Sequence, residues 1–196
     1  MDTQQLVHKL CALAPSLMDE CGYWLTQRRC IASTRVGVET LRALGFDAEP
    51  LPVLVQACNR EFLKYGPLVT KGKMSAEEAK KKGARLLVID DNPESEIGGY
   101  PGHLVVLLKA ERLMIDLDIG QFNRPGIETP RAVSMEVSPA FIAGTDDVVF
   151  ELPHNALMLF RRVKKPYEWR HSPDWAEEKR WRRIVRRLVD KLKESP

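Results

Sequence analysis

The chain has 196 residues, 44% hydrophobic and 29% charged, with 30 Lys and Arg against 27 Asp and Glu. That length and apolar share suit a globular fold with a real core, and they exclude a disordered, collagen-like or disulfide-stapled chain. The net charge of +3 hides an asymmetry: residues 161–196 hold 13 of the Lys and Arg but only 6 of the Asp and Glu, so a mildly acidic body carries a basic tail.

In chain order, residues 3–14 place Leu6, Leu10 and Leu13 at helical spacing, and Pro15 is expected to close that helix. Residues 16–28 read as a second helix, with Leu17, Met18, Cys21, Trp24 and Leu25 on one side. From Cys30 to Leu44 apolar positions 31, 38, 41 and 44 again recur at helical spacing, and Gly45 suits a left-handed cap. Residues 48–57 read as extended, because two prolines forbid a helix interior and Val53-Leu54-Val55 favours a strand. Over 58–84 the pattern is weak, apart from a short helix from Ser75 to Lys82, where Ser75 and Glu78 have capping-box spacing.

Three strands are expected next: Arg85–Asp90, Gly102–Leu108 and Leu113–Asp118. Turn formers fill the loop Asp91–Pro101, and a hairpin-sized link spans Lys109–Arg112. Residues 120–147 read as loop with short pieces, Val148–Leu152 and Leu157–Arg162 as edge strands, and Pro173–Glu194 as a long amphipathic helix. Helices first and strands close together afterwards indicate an α+β fold, with N-terminal helices packed on an antiparallel sheet. The expected organisation is a main domain over 1–160 and a basic, Trp/Arg-rich helical extension over 161–196.

The cysteines at 11, 21, 30 and 58 include no C-x-x-C pair and no His at finger spacing, so no structural zinc is expected. The start, MDTQQLVHKL, lacks a signal-peptide pattern, and no apolar run is long enough to span a membrane. Reduced thiols in a cytoplasmic setting are expected. Phosphate-binding glycine motifs are absent, and no metal or other cofactor is called for.

Cys30 is the candidate nucleophile. A free thiol, with a pKa of about 8.5, is mostly protonated at neutral pH, but a helix N-terminus and nearby cations favour the thiolate. Cys30 opens a predicted helix beside Arg28 and Arg29, whereas Cys11 and Cys21 fall on apolar helix faces. His103 follows a glycine-rich loop at a strand start and is the candidate base. Asp116, across the predicted hairpin, can orient the imidazole. Asp118 points to the same side two residues on and is the alternative acid. Trp24, Gln27 and Gln121 are candidate oxyanion or cleft residues. His8, His154 and His171 fit a base less well.

The segments CIASTRVGVETLRALGFDAEPLPVLV, GHLVVLL and RLMIDLDIGQFNRP carry this order of Cys on a helix, His on a strand and Asp on the next strand. In that order the chain resembles the transglutaminase-like superfamily, of papain-like thiol fold, whose core arylamine N-acetyltransferases share. The likeness spans about residues 20–125. It departs where HLV stands for an aromatic after the Gly-His pair and DLD for a DPT at the acid. The resemblance implies a Cys30-His103-Asp116 triad performing thiol acyl chemistry: hydrolysis of a peptide or amide bond, or acyl transfer. The substrate would be a peptide, amide or other acyl donor.

Two further readings use other features. A catalytically inactive member of that fold would bind a protein partner. A nucleic-acid-associated protein would use the tail, where Trp169, Trp175 and Trp181 interleave with Arg170, Arg180, Arg182, Arg183, Arg186 and Arg187, a mixture suited to an anionic partner. A helix packing its Trp and Leu stripe on its own domain explains the same pattern.

Overall fold

A computed structural model describes residues 2–22, 29–89, 102–151, 156–163, 169–176 and 178–194. Among them are seven α-helices and a curled sheet of seven antiparallel strands. The helices are α1 (Thr3–Glu20), α2 (Arg29–Ala43), α3 (Arg60–Thr70), α4 (Ala76–Lys81), α5 (Pro139–Ala143), α6 (Pro173–Ala176) and α7 (Glu178–Lys193). The strands are β1 (Ala48–Asn59), β2 (Leu86–Ile89), β3 (His103–Leu108), β4 (Leu113–Asp116), β5 (Val133–Glu136), β6 (Val148–Glu151) and β7 (Ala156–Arg162).

Several elements differ from the sequence reading, each for a physical reason. Pro15 does not end the first helix; α1 runs through it to Glu20. Leu17 and Met18, one turn on, bury in the same core as Leu6 and Leu10, and that burial outweighs one lost backbone bond. Beyond Gly22 the expected second helix enters residues 23–28, outside the described residues. Gly66-Pro67 reads as a breaker yet lies inside α3, where Asn59 caps the start by accepting from the Phe62 N–H. The short helix at α4 has its capping box: Ser75 Oγ accepts from the Glu78 N–H, and Glu78 accepts from the Ser75 N–H at 2.8 Å. The loop expected over 91–101 also lies outside the described residues.

The long strand β1 organises the sheet, whose order is β5-β4-β3-β1-β7-β6, with β2 also on β1. Positions 48–53 of β1 pair with β3, 55–58 with β2, and 53–59 with β7. One edge of β1 is therefore shared by two strands in succession, and β3 ends at the fork, His103 opposite Val53. Pro50 and Pro52 fall before the β7 pairing begins, where β1 has a strand on one side only and a missing N–H is tolerated. The segment expected as an edge strand over 157–162 is internal, since β7 lies between β1 and β6.

Strand alternation divides the core. Val106, Leu108 and Ile115 face α1, α2 and α7, whereas Val105, Leu107 and Met114 face Phe122, Phe141 and Phe160. The tail joins the first of these layers. Trp181, Ile184, Leu188 and Leu192 of α7 bury with Leu10, Val38 and Leu41. The exposed remainder of α7 includes Arg183 and Arg186.

Candidate functional site

Cys30 is the second residue of α2, in the first turn, where backbone N–H groups have no acceptor within the helix. Two contacts seat this turn on the sheet. The Thr34 hydroxyl donates to the Leu104 carbonyl at 2.7 Å, beside His103. Gly37, one turn further, lets α2 approach closely: a Cβ there would stand 2.8 Å from Val106 Cγ2 and 2.9 Å from Leu117 Cδ1.

His103 opens β3 and Asp116 closes β4, and both are essentially sealed from solvent. His103 Nε2 lies 2.7 Å from Asp116 Oδ2, and the Cys30 thiol is near enough to the ring to help raise its pKa. Phe122 meets the ring edge-on, with centroids 5.3 Å apart. Burial by itself would push the imidazole pKa down. The Asp116 charge and hydrogen bond outweigh it, with a further contribution from Cys30, and lift it from 6.5 to about 10. The ring is thus held in its charged form at neutral pH, chiefly by Asp116.

Asp118 is elsewhere engaged. Its Oδ1 takes Arg29 Nη2 at 2.9 Å, and its backbone N–H donates to Asp116 Oδ1 at 2.9 Å. Oδ2 is buried with no hydrogen-bond donor. Burial pushes the Asp118 carboxyl up to about 6, against the opposing pull of Arg29. The residue therefore fastens the first turn of α2 to the end of β4, and Asp116 holds the imidazole.

Gln121 lies in the short 3-10 helix Ile119–Phe122. Its Nε2 is 3.0 Å from His103 Nδ1, so it caps the ring nitrogen that Asp116 leaves open. An amide serves either state of the ring, donating through Nε2 to a neutral Nδ1 or turning Oε1 toward a protonated one. Trp24 and Gln27 lie outside the described residues, as does His154. His8 and His171 are exposed.

Two other thiols are held in their neutral form by their surroundings. Burial and the Asp116 charge push Cys11 up to about 12, with a Ser134 hydrogen bond opposing, and burial raises Cys58. A cleft of about 190 Å³ opens beside the first turn of α2, lined by Arg29, Ser33, Asp118, Asn123 and Arg131 among others. Arg131 there pairs with Asp19. Among the described residues no cluster of three or more His, Cys, Asp or Glu could hold a metal, and no helix is long and apolar enough to cross a membrane.

Sequence reasoning missed three contributors. The Arg29–Asp118 tie joins residues far apart in the chain. Trp169 shares a small buried cluster with Cys30, Ile31 and Leu104, although the sequence places it in the tail. Gly37 left one trace, a glycine inside a helical pattern, which signals close backbone approach. Comparison with protein-family models, curated proteins and solved structures finds no match to this chain.

Proposed function

We propose that the protein is a thiol-dependent acyl enzyme on a transglutaminase-like, papain-like core, with Cys30 as nucleophile, His103 as acid and base, and Asp116 as orienting carboxylate. One observation carries this reading: a single buried imidazole bonded to Asp116, with the Cys30 thiol near enough to the ring to help raise its pKa. Cys30 passes its proton to His103, and the thiolate attacks an acyl carbonyl. The oxyanion forms near the first turn of α2, where the Cys30 N–H is a candidate donor. His103 then protonates the leaving amine, and a thioester remains on Sγ. Water, deprotonated by His103, completes hydrolysis of a peptide or amide bond; an amine in its place gives acyl transfer.

The burial of Cys30, 8% exposed, favours a second reading, a non-catalytic member of such a fold that binds a protein partner. The nucleic-acid reading loses its stacking surfaces, since Trp169 and Trp181 are buried and Trp175 is half-buried under Arg35. What remains for an anionic partner is the exposed basic side of α7.

The test is the pH dependence of iodoacetamide labelling at Cys30, located by peptide mapping, in the wild type and in His103→Ala. Rapid labelling near neutral pH that collapses in the variant supports catalysis. Labelling like that of any ordinary cysteine, and unaltered by the substitution, would leave the binding-module reading in its place.

A further inference from the structure

The thiol and its base are closed over: Cys30 is 8% exposed and His103 not at all. Little of either residue meets solvent, so an acyl carbonyl reaching Sγ needs a neighbour to give way. The group packed against the thiol is therefore informative. Cys30, Ile31, Leu104 and Trp169 form one small apolar cluster, with Trp175 at its margin.

Three of these residues belong to the frame. Cys30 and Ile31 are in the first turn of α2, and Leu104 is in β3, whose backbone is tied to α2 through Thr34. Trp169 does not belong to the frame. It starts a single 3-10 turn, Trp169–His171, that leads into the four-residue α6. Its indole leans edge-on against Trp175, centroids 4.4 Å apart at 73°. Trp175 in turn lies under the Arg35 guanidinium, 4.7 Å from the ring centre, and the same guanidinium covers Trp181 at 4.6 Å. A short turn held by ring and cation–π contacts is the part of this enclosure that can open at least cost.

We infer that Trp169 fills a substrate subsite. The hollow between Ile31 and Leu104, beside Cys30, takes an apolar acyl group of aromatic size, and the Trp169 indole occupies it until the 169–176 segment moves aside. The size follows from the occupant, a bicyclic indole, and the apolar character follows from the walls. Ile31 and Leu104 are apolar, and the indole they hold carries the Arg170 guanidinium over its ring at 4.7 Å, so the hollow suits an aliphatic or aryl acyl group. The inference rests on Cys30 being the nucleophile proposed above. It adds what the substrate presents and how access is governed.

The experiment compares two alkylating probes, iodoacetamide and N-benzyl iodoacetamide, on full-length wild type, Trp169→Ala and Trp175→Leu. Trp169→Ala is expected to speed Cys30 labelling by iodoacetamide about tenfold, by favouring the open form, and labelling by the benzyl probe by clearly more. Trp175→Leu loosens the segment without emptying the hollow, so it should raise both rates by similar factors. If Trp169→Ala does not fold, Trp169→Leu, apolar but smaller, gives the same two readings. Unchanged rates, or equal gains for both probes in the Trp169 variant, overturn the subsite. His103→Ala in the same background separates the two proposals. A His103-dependent thiol without benzyl preference removes the subsite and leaves the triad. A benzyl preference at a thiol indifferent to His103 keeps an apolar ligand pocket and removes the catalysis.

Discussion

His103 and Asp116 join diagonally across the β3–β4 hairpin. The ladder sets Val106 opposite Ile115, and continuing that register would set position 118, not 116, opposite position 103. The 2.7 Å bond nevertheless runs to Asp116. The ladder has ended by then, and Asp118 has turned away to Arg29. The nearer residue by register thus braces α2 beside Cys30, and the diagonal one holds the His103 ring.

Stability should respond to this pair at alkaline pH. The folded protein holds the His103 proton up to about pH 10, whereas the ordinary value is 6.5. The folded state binds the proton more tightly, so the stabilisation is complete below about pH 6.5 and is lost as pH rises through 10. Denaturant unfolding at pH 6, 8 and 10 should show a fall on the order of a few kcal/mol. Asp116→Asn should flatten that fall and lower stability at pH 6, because it leaves a buried ring without its carboxylate. A flat wild-type profile would count against a charged ring.

Asp118 predicts an unusual sign. Its carboxyl is raised from 3.8 to about 6. The folded state therefore favours the protonated form, and the benefit, complete below pH 3.8, disappears as pH rises through 6. Ionised Asp118 is a cost at neutral pH. Asp118→Asn should accordingly be more stable than the wild type at pH 8, by on the order of 1–2 kcal/mol, and should match it near pH 4. Thermal unfolding at the two pH values checks this. Equal destabilisation at both would mean that the Arg29 tie outweighs the burial.

Gly37 controls how closely α2 lies on β3. Gly37→Val must displace Val106 and Leu117, and it should cost about 1–3 kcal/mol by overpacking. The displacement would also part Cys30 from His103, so Cys30 labelling should slow even in the folded fraction. Gly37→Ala meets the same two side chains with less bulk, and the better helix propensity of alanine offsets part of its cost. Calorimetry with labelling kinetics tests both. A Gly37→Val protein with wild-type labelling would show that the spacing is set elsewhere.

How much could be read beforehand follows from where the information sits. The capping box at Ser75 and Glu78 is local, and it was legible as four residues of text. The hairpin β3–β4 was legible from two apolar runs and a short link. The α3 helix was not, because Gly66-Pro67 outweighs its apolar spacing when no tertiary context is counted. The identity of the orienting acid was open for a different reason. Residues 116 and 118 share parity, and only Arg29, nearly ninety positions upstream, separates their roles. The cluster that holds Trp169 with Cys30 joins residues too distant for periodicity to connect.

The fork on β1 decides where His103 stands. The chain leaves β1's edge at Ile89, opposite Val55, and rejoins it at His103, opposite Val53. The ladder holds both ends of this link, two positions apart on β1, with His103 at one of them. The registers of β2 and β3 on β1 are set by their own ladders on either side of the fork. The His103 backbone is thus placed by the sheet itself, whose ladder holds it opposite Val53.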